Sequence, residues 1–157
     1  MTETLAQEVL RLAVEAGASV TTAESCTGGM VAAAITDCAG SSAVFERGFV
    51  TYSNAAKTEM LGVRPATLEA HGAVSEEVVL EMALGARGAA GATLAVSISG
   101  IAGPGGSERK PEGRVCFGVA TADLIYTETV EFGARGRGAV RQATVEHALG
   151  LLLDTLF

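Results

Sequence analysis

The chain has 157 residues, 48% of them hydrophobic, and a mean hydropathy of +0.36, which excludes a disordered chain and gives enough apolar material for a sizeable core. A net charge of −7 and a pI near 4.8 exclude the broad basic face that nucleic-acid binding needs. Aromatic residues are 4% and Trp is absent, so any substrate pocket must be built from backbone and small side chains.

The N-terminus is acidic and lacks the basic and apolar regions of a secretory signal. No apolar run is long enough to cross a bilayer, and a cytoplasmic location is expected. Residues 4–16 place Leu5, Val9, Leu12, Val14 and Ala16 near helical spacing, and Gly17 ends that helix. Residues 19–23 read as a buried strand. A polar cluster follows, and an Ala-rich helix runs over 30–38 and stops near Gly40. Residues 43–52 read as a strand with an irregularity at Gly48. Ser53 and Asn54 start a short helix over 55–61 that Gly62 closes. Pro65 and a turn over 67–71 form a connector, and Ser75 opens a longer helix to about Ala90 with Glu76 and Glu77 in its first turn. Residues 94–99 form a strand, and a Gly-rich loop over 100–107 runs on through a polar segment over 108–112. Two strands over 113–121 and 124–132 make a hairpin, and residues 137–156 form the last helix. This order predicts an α/β protein: a single layered α/β/α domain over residues 1–157, with a mixed, partly parallel sheet and a late β-hairpin.

Four clusters carry candidate chemistry. Glu24-Ser25-Cys26-Thr27-Gly28-Gly29 sets hydroxyls and a thiol at a strand-to-helix turn, where free N–H groups and the helix dipole suit an anion. Ser25 or Thr27 caps the helix there, or a hydroxyl acts as nucleophile with help from a base. His71 lies in a polar turn and is available as that base, whereas His147 lies well inside the last helix. Lys57 is a second choice: only Lys57 and Lys110 are Lys among the eleven Lys and Arg residues, and unlike Arg a desolvated Lys can lose its proton. Tyr52 precedes the same helix and either relays a proton to the lysine or simply packs. The loop Ser99-Gly100-Ile101-Ala102-Gly103-Pro104-Gly105-Gly106 lets backbone N–H groups approach an oxyanion or a phosphate, or is a plain turn. Arg137 and Arg141 share one face at a helix start, where cations oppose the dipole unless they hold an anion. Three cysteines, Cys26, Cys38 and Cys116, without a Cys-x-x-Cys pair, give neither a disulfide framework nor a zinc site.

Thr22-Ala-Glu-Ser-Cys-Thr-Gly-Gly29, Tyr52-Ser-Asn-x-x-Lys57 with Leu61-Gly-Val63, His71-Gly-Ala-Val-Ser75, Ser97-Ile-Ser-Gly-Ile-Ala-Gly-Pro104 and Lys110-Pro-x-Gly113 together resemble the CinA C-terminal domain family, in order and over essentially the whole chain. The resemblance implies an amidase that hydrolyses the carboxamide of nicotinamide mononucleotide to nicotinate mononucleotide and ammonia, in pyridine-nucleotide salvage. It implies Ser25 as nucleophile, Lys57 as general base and Tyr52 as its helper, with no metal and no cofactor. Backbone groups of Thr27, Gly28 and Gly29, or of Gly100, Ile101, Ala102 and Gly103, are the expected oxyanion and substrate contacts. Arg137 and Arg141 are the expected anchors of the ribose 5′-phosphate. The expected partners are the small-molecule substrate and further copies of the chain, as a dimer or higher homo-oligomer, and neither nucleic acid nor membrane. The alternatives are a thiol amidase using Cys26 and a non-catalytic nucleotide-binding module.

Overall fold

Ala6, Val9 and Ala13 recur every three or four residues and give helix α1 (Thr2–Ala16) a buried stripe. The structure, a computed structural model, describes residues 2–107 and 109–157; Met1 and Glu108 lie outside the described residues. Strand β1 (Val20–Glu24) leads to α2 (Met30–Thr36), the short edge strand β2 (Phe49–Val50), α3 (Asn54–Leu61), α4 (Pro65–His71) and α5 (Glu76–Ala90). Strands β3 (Leu94–Gly100), β4 (Arg114–Ala120) and β5 (Ile125–Glu131) follow, and α6 (Arg137–Leu156) ends the chain.

The sheet order is β2-β1-β3-β4-β5. β1 runs parallel to both β2 and β3, and the β4–β5 hairpin is antiparallel. Side-chain alternation divides the core into two layers. Val96, Ile98, Val115, Phe117 and Val119 meet the helices α1, α2 and α6. Ala23, Ala95 and Cys116 meet α5 together with Leu61 and Val63. This is the expected layered α/β/α architecture with a mixed sheet and a late hairpin. No helix of the described residues is long and apolar enough to cross a membrane.

Three elements differ from expectation. The strand expected over 43–52 shortens to two residues, preceded by a 3₁₀ turn at Ser41–Ala43. Gly48 passes so near β1 that a Cβ there would lie 2.6 Å from Thr22 Oγ1, and the Arg47 carbonyl accepts from the Thr21 hydroxyl instead of a strand N–H (2.7 Å), which interrupts the ladder. The connector over 65–71 is a helix, α4. Pro65 presets its first turn, and Glu81 of α5 accepts from Arg64 N–H (2.8 Å) and the Thr67 hydroxyl (2.6 Å). α2 ends at Thr36, two residues early.

Candidate active site

At the end of β1 the chain must turn into α2 within five residues, and Glu24 directs the turn. Its fully buried carboxylate accepts from the Thr27 hydroxyl (2.6 Å) and from the Val31 and Ala32 N–H groups (2.9 and 3.0 Å). Gly28 N–H donates to the Ser25 carbonyl (3.1 Å) and Met30 N–H to the Thr27 carbonyl (3.0 Å). The N–H groups of the first turn of α2 are therefore already used, and the anion that a helix N-terminus attracts is the chain's own. Thr27, Gly28 and Gly29 shape this turn and are not among the residues that line the cleft beside it. The sequence signal for Glu24 is an acid ending a strand six residues before a helix start, which no capping rule covers.

Lys57 arrives from the other side. Ser53 caps α3, its hydroxyl accepting from Ala56 N–H (3.0 Å), and one turn later Lys57 points inward and is 1% exposed. Its ammonium nitrogen Nζ is 3.0 Å from Ser25 Oγ and donates to the carbonyls of Thr51 (2.9 Å) and Tyr52 (3.2 Å). Ser25, 7% exposed, is fixed by its N–H donating to the Ile98 carbonyl of β3 (3.1 Å). The neighbouring Cys26 thiol is pushed up to about 11, chiefly by burial. Its own N–H, Arg141 and the Gly100 N–H oppose that shift, and Glu24 adds to it.

Ser25 and Lys57 open into a cleft of about 340 Å³ that the Gly-rich loop, Asn54, Tyr52 and Arg137 also line. Tyr52 is 60% exposed, its phenol oxygen accepts from Arg137 Nη2 (2.9 Å), and its carbonyl accepts from Lys57 Nζ. Arg137 Nη1 also donates to the Gly103 carbonyl (2.8 Å), so this guanidinium bridges two sides of the cleft. Arg141, one helical turn further, lies behind the Ser25 turn and donates to the carbonyls of Cys26 (3.0 Å) and Thr27 (3.3 Å). The expected pair of arginines therefore splits, with Arg137 in the cleft and Arg141 outside it. Gly100, Ile101, Ala102 and Gly103 all line the cleft. Neither histidine meets Ser25: His71 sits 3.8 Å from Glu77 at the surface, and His147 stacks on Phe117 and pairs with Glu128. Sequence reasoning gave no site role of their own to Glu24, Asn54 and Ser99, of which the last two line the cleft. Among the described residues no group of three or more His, Cys, Asp or Glu could hold a metal ion.

A buried serine hydroxyl against a buried lysine amine, beside a loop rich in main-chain N–H groups, is equipped for attack on an acyl carbon. The model of the CinA C-terminal domain matches residues 2–156. The nicotinamide-nucleotide amidohydrolase PncC of Escherichia coli K12 is 59% identical over 149 residues, covering 94% of this chain and 90% of that protein. A CinA-like protein of Shewanella loihica is 48% identical over 94% of this chain, which corresponds to 35% of that longer protein. Among solved structures, the competence/damage inducible protein CihA of Agrobacterium tumefaciens superposes with a TM-score of 0.94 at 46% identity, covering 98% of this chain and 94% of its own. A CinA superfamily protein of Klebsiella pneumoniae gives a TM-score of 0.96 at 41% identity, with 99% and 98% covered.

Proposed function

The chain belongs to the CinA C-terminal domain family, and on that premise we propose that it is a nicotinamide-nucleotide amidohydrolase. It converts nicotinamide mononucleotide and water to nicotinate mononucleotide and ammonia, as a single cytoplasmic domain serving pyridine-nucleotide salvage. The observation that carries the mechanism is the 3.0 Å contact between Lys57 Nζ and Ser25 Oγ. A neutral amine has two N–H bonds and one lone pair. Such an amine donates to the carbonyls of Thr51 and Tyr52 and turns its lone pair to the Ser25 proton. Ser25 Oγ then attacks the carboxamide carbon as its proton passes to Lys57. The oxyanion rests on main-chain N–H groups near Cys26 and Gly100, since the first turn of α2 is already satisfied. Collapse expels ammonia, which takes the proton from Lys57, and leaves a nicotinoyl ester on Ser25. Water, deprotonated by Lys57, cleaves the ester and restores the serine. Tyr52 supports Lys57 through its carbonyl, and Arg137 exchanges the Tyr52 hydroxyl for the substrate phosphate.

Ser25→Ala and Lys57→Ala proteins should retain the circular dichroism of the parent and lose ammonia release from the mononucleotide by about 10³-fold or more. Near-normal turnover in either sinks the assignment. Binding of the mononucleotide without turnover by the unmodified protein would instead favour a nucleotide-binding module.

A further inference from the structure

The Lys110-Pro-x-Gly113 motif has no part in the chemistry above, yet it holds one of only two lysines in the chain. Half-buried Lys110 reaches away from the Gly-rich segment and donates to two main-chain carbonyls. One is that of His71 at the end of α4 (2.6 Å), and the other is that of Val74 in the link to α5 (2.5 Å). Ala73 and Val74 line the cleft, and so do Gly105, Gly106 and Ser107. One ammonium thus ties together two segments that share the lining of the substrate cleft. At the end of α4 it also meets the negative end of that helix.

The Gly-rich segment is doubled back on itself. Ser107 and Lys110 exchange main-chain hydrogen bonds (3.0 and 2.8 Å), and Gly105 N–H donates to Glu112 Oε1 (2.5 Å). The two limbs lie so close that a Cβ on Gly106 would fall 2.3 Å from the Lys110 carbonyl. The outward limb, Gly103-Pro104-Gly105-Gly106, has almost no side-chain volume with which to pack. Its position derives from the return limb, and Lys110 fixes the return limb.

We propose that Lys110 is a positioning residue for substrate binding, latching the Gly-rich flap to the link between α4 and α5 and so setting the shape of the cleft that takes the mononucleotide. The identity of the ligand rests on the amidohydrolase reading. The latch does not touch the reacting atoms, so its loss acts on binding and not on the chemical step.

The test compares Lys110→Met, which keeps the stem and removes the donors, with Lys110→Arg, which keeps donors for both carbonyls. Lys110→Met should raise KM for nicotinamide mononucleotide about tenfold while kcat stays within about threefold. In a Ser25→Ala background the calorimetric Kd for the same mononucleotide should weaken by the same factor. Tryptic cleavage after exposed Arg109 should be about tenfold faster, because local opening is freed. Lys110→Arg should recover most of each effect. A lower melting temperature with unchanged KM, Kd and cleavage overturns the proposal and leaves Lys110 a cap of α4. Faster cleavage with unchanged Kd overturns the link to binding, and a fall in kcat at constant KM overturns the positioning role. If the unmodified protein binds the mononucleotide but releases no ammonia, the amidohydrolase reading fails while Kd and cleavage still decide the latch. Absence of binding by the unmodified protein overturns both.

Discussion

Ser25 and Cys26 are neighbours in the cleft, and the serine hydroxyl meets Lys57 Nζ at 3.0 Å. Burial pushes the Cys26 thiol up to about 11, which disfavours the thiolate that attacks or is alkylated. Cys26→Ala should keep activity within about threefold, and iodoacetamide should leave ammonia release untouched at neutral pH; inactivation by alkylation would restore the thiol alternative. The two arginines also separate at this scale. Arg137 faces the cleft with polar partners that a phosphate can replace, so Arg137→Ala should raise KM for the mononucleotide by about 10–100-fold and leave the riboside unaffected. Arg141 is engaged with the carbonyls of Cys26 and Thr27, so Arg141→Ala should lower kcat for the mononucleotide and the riboside alike. Steady-state kinetics on the two substrates distinguishes these outcomes.

Helix α2 shows how an element can lose the role that its end suggests. A helix start after a strand invites an anionic ligand, yet here Glu24 fills the position with three short hydrogen bonds. The bonds serve the turn that holds Ser25, so their loss should be felt in stability first. Glu24→Gln keeps one acceptor oxygen but places an amide donor against one of the Val31 and Ala32 N–H groups and should cost about 1–3 kcal/mol in urea unfolding. A change below about 0.5 kcal/mol would show that the turn holds without the charge. Helix α4 is the opposite case, an element that local sequence underrates. Its seven residues gain their order from Glu81 on α5, a partner beyond the reach of any local rule.

Across the whole molecule, acid stability follows from carboxylates such as Glu81 and Glu128, which stitch separate elements. Burial pushes both upward, but hydrogen bonds outweigh it: Arg64 N–H and Thr67 lower Glu81, and His147 and Tyr126 lower Glu128. A carboxyl lowered in the folded state binds protons more readily once unfolded. Its stabilisation is therefore complete above the ordinary carboxylate range and is lost as pH falls through that range toward the depressed values. Melting temperatures taken from about pH 7 down to about pH 3 should fall on this limb, and Glu81→Gln should flatten it. A limb of unchanged steepness in that variant would assign acid lability to other groups.

The amino-acid order alone settles what depends on neighbours a few residues away. Ser53 and Ser75 start their helices, Gly62 ends α3, the runs over 94–99 and 113–121 form strands, and the α6 boundaries fall where the pattern puts them. It also offers Ser25, beside Cys26 and Thr27, by its place at a turn and Lys57, beside His71, by its rarity in an Arg-rich chain, and the family resemblance selects Ser25 and Lys57 among them. Their meeting is a tertiary fact. They lie 32 residues apart, and parallel pairing of β1 with β2 and β3 brings the turn after β1 against the inner face of α3. Only that packing decides that Tyr52 turns its carbonyl to the lysine and its phenol to Arg137, that Arg137 and Arg141 face different surroundings, and that Glu24 occupies the start of α2. Caps and periodicity act over about one turn of chain, whereas the site is assembled by the stacking of layers, which links residues that no local pattern relates.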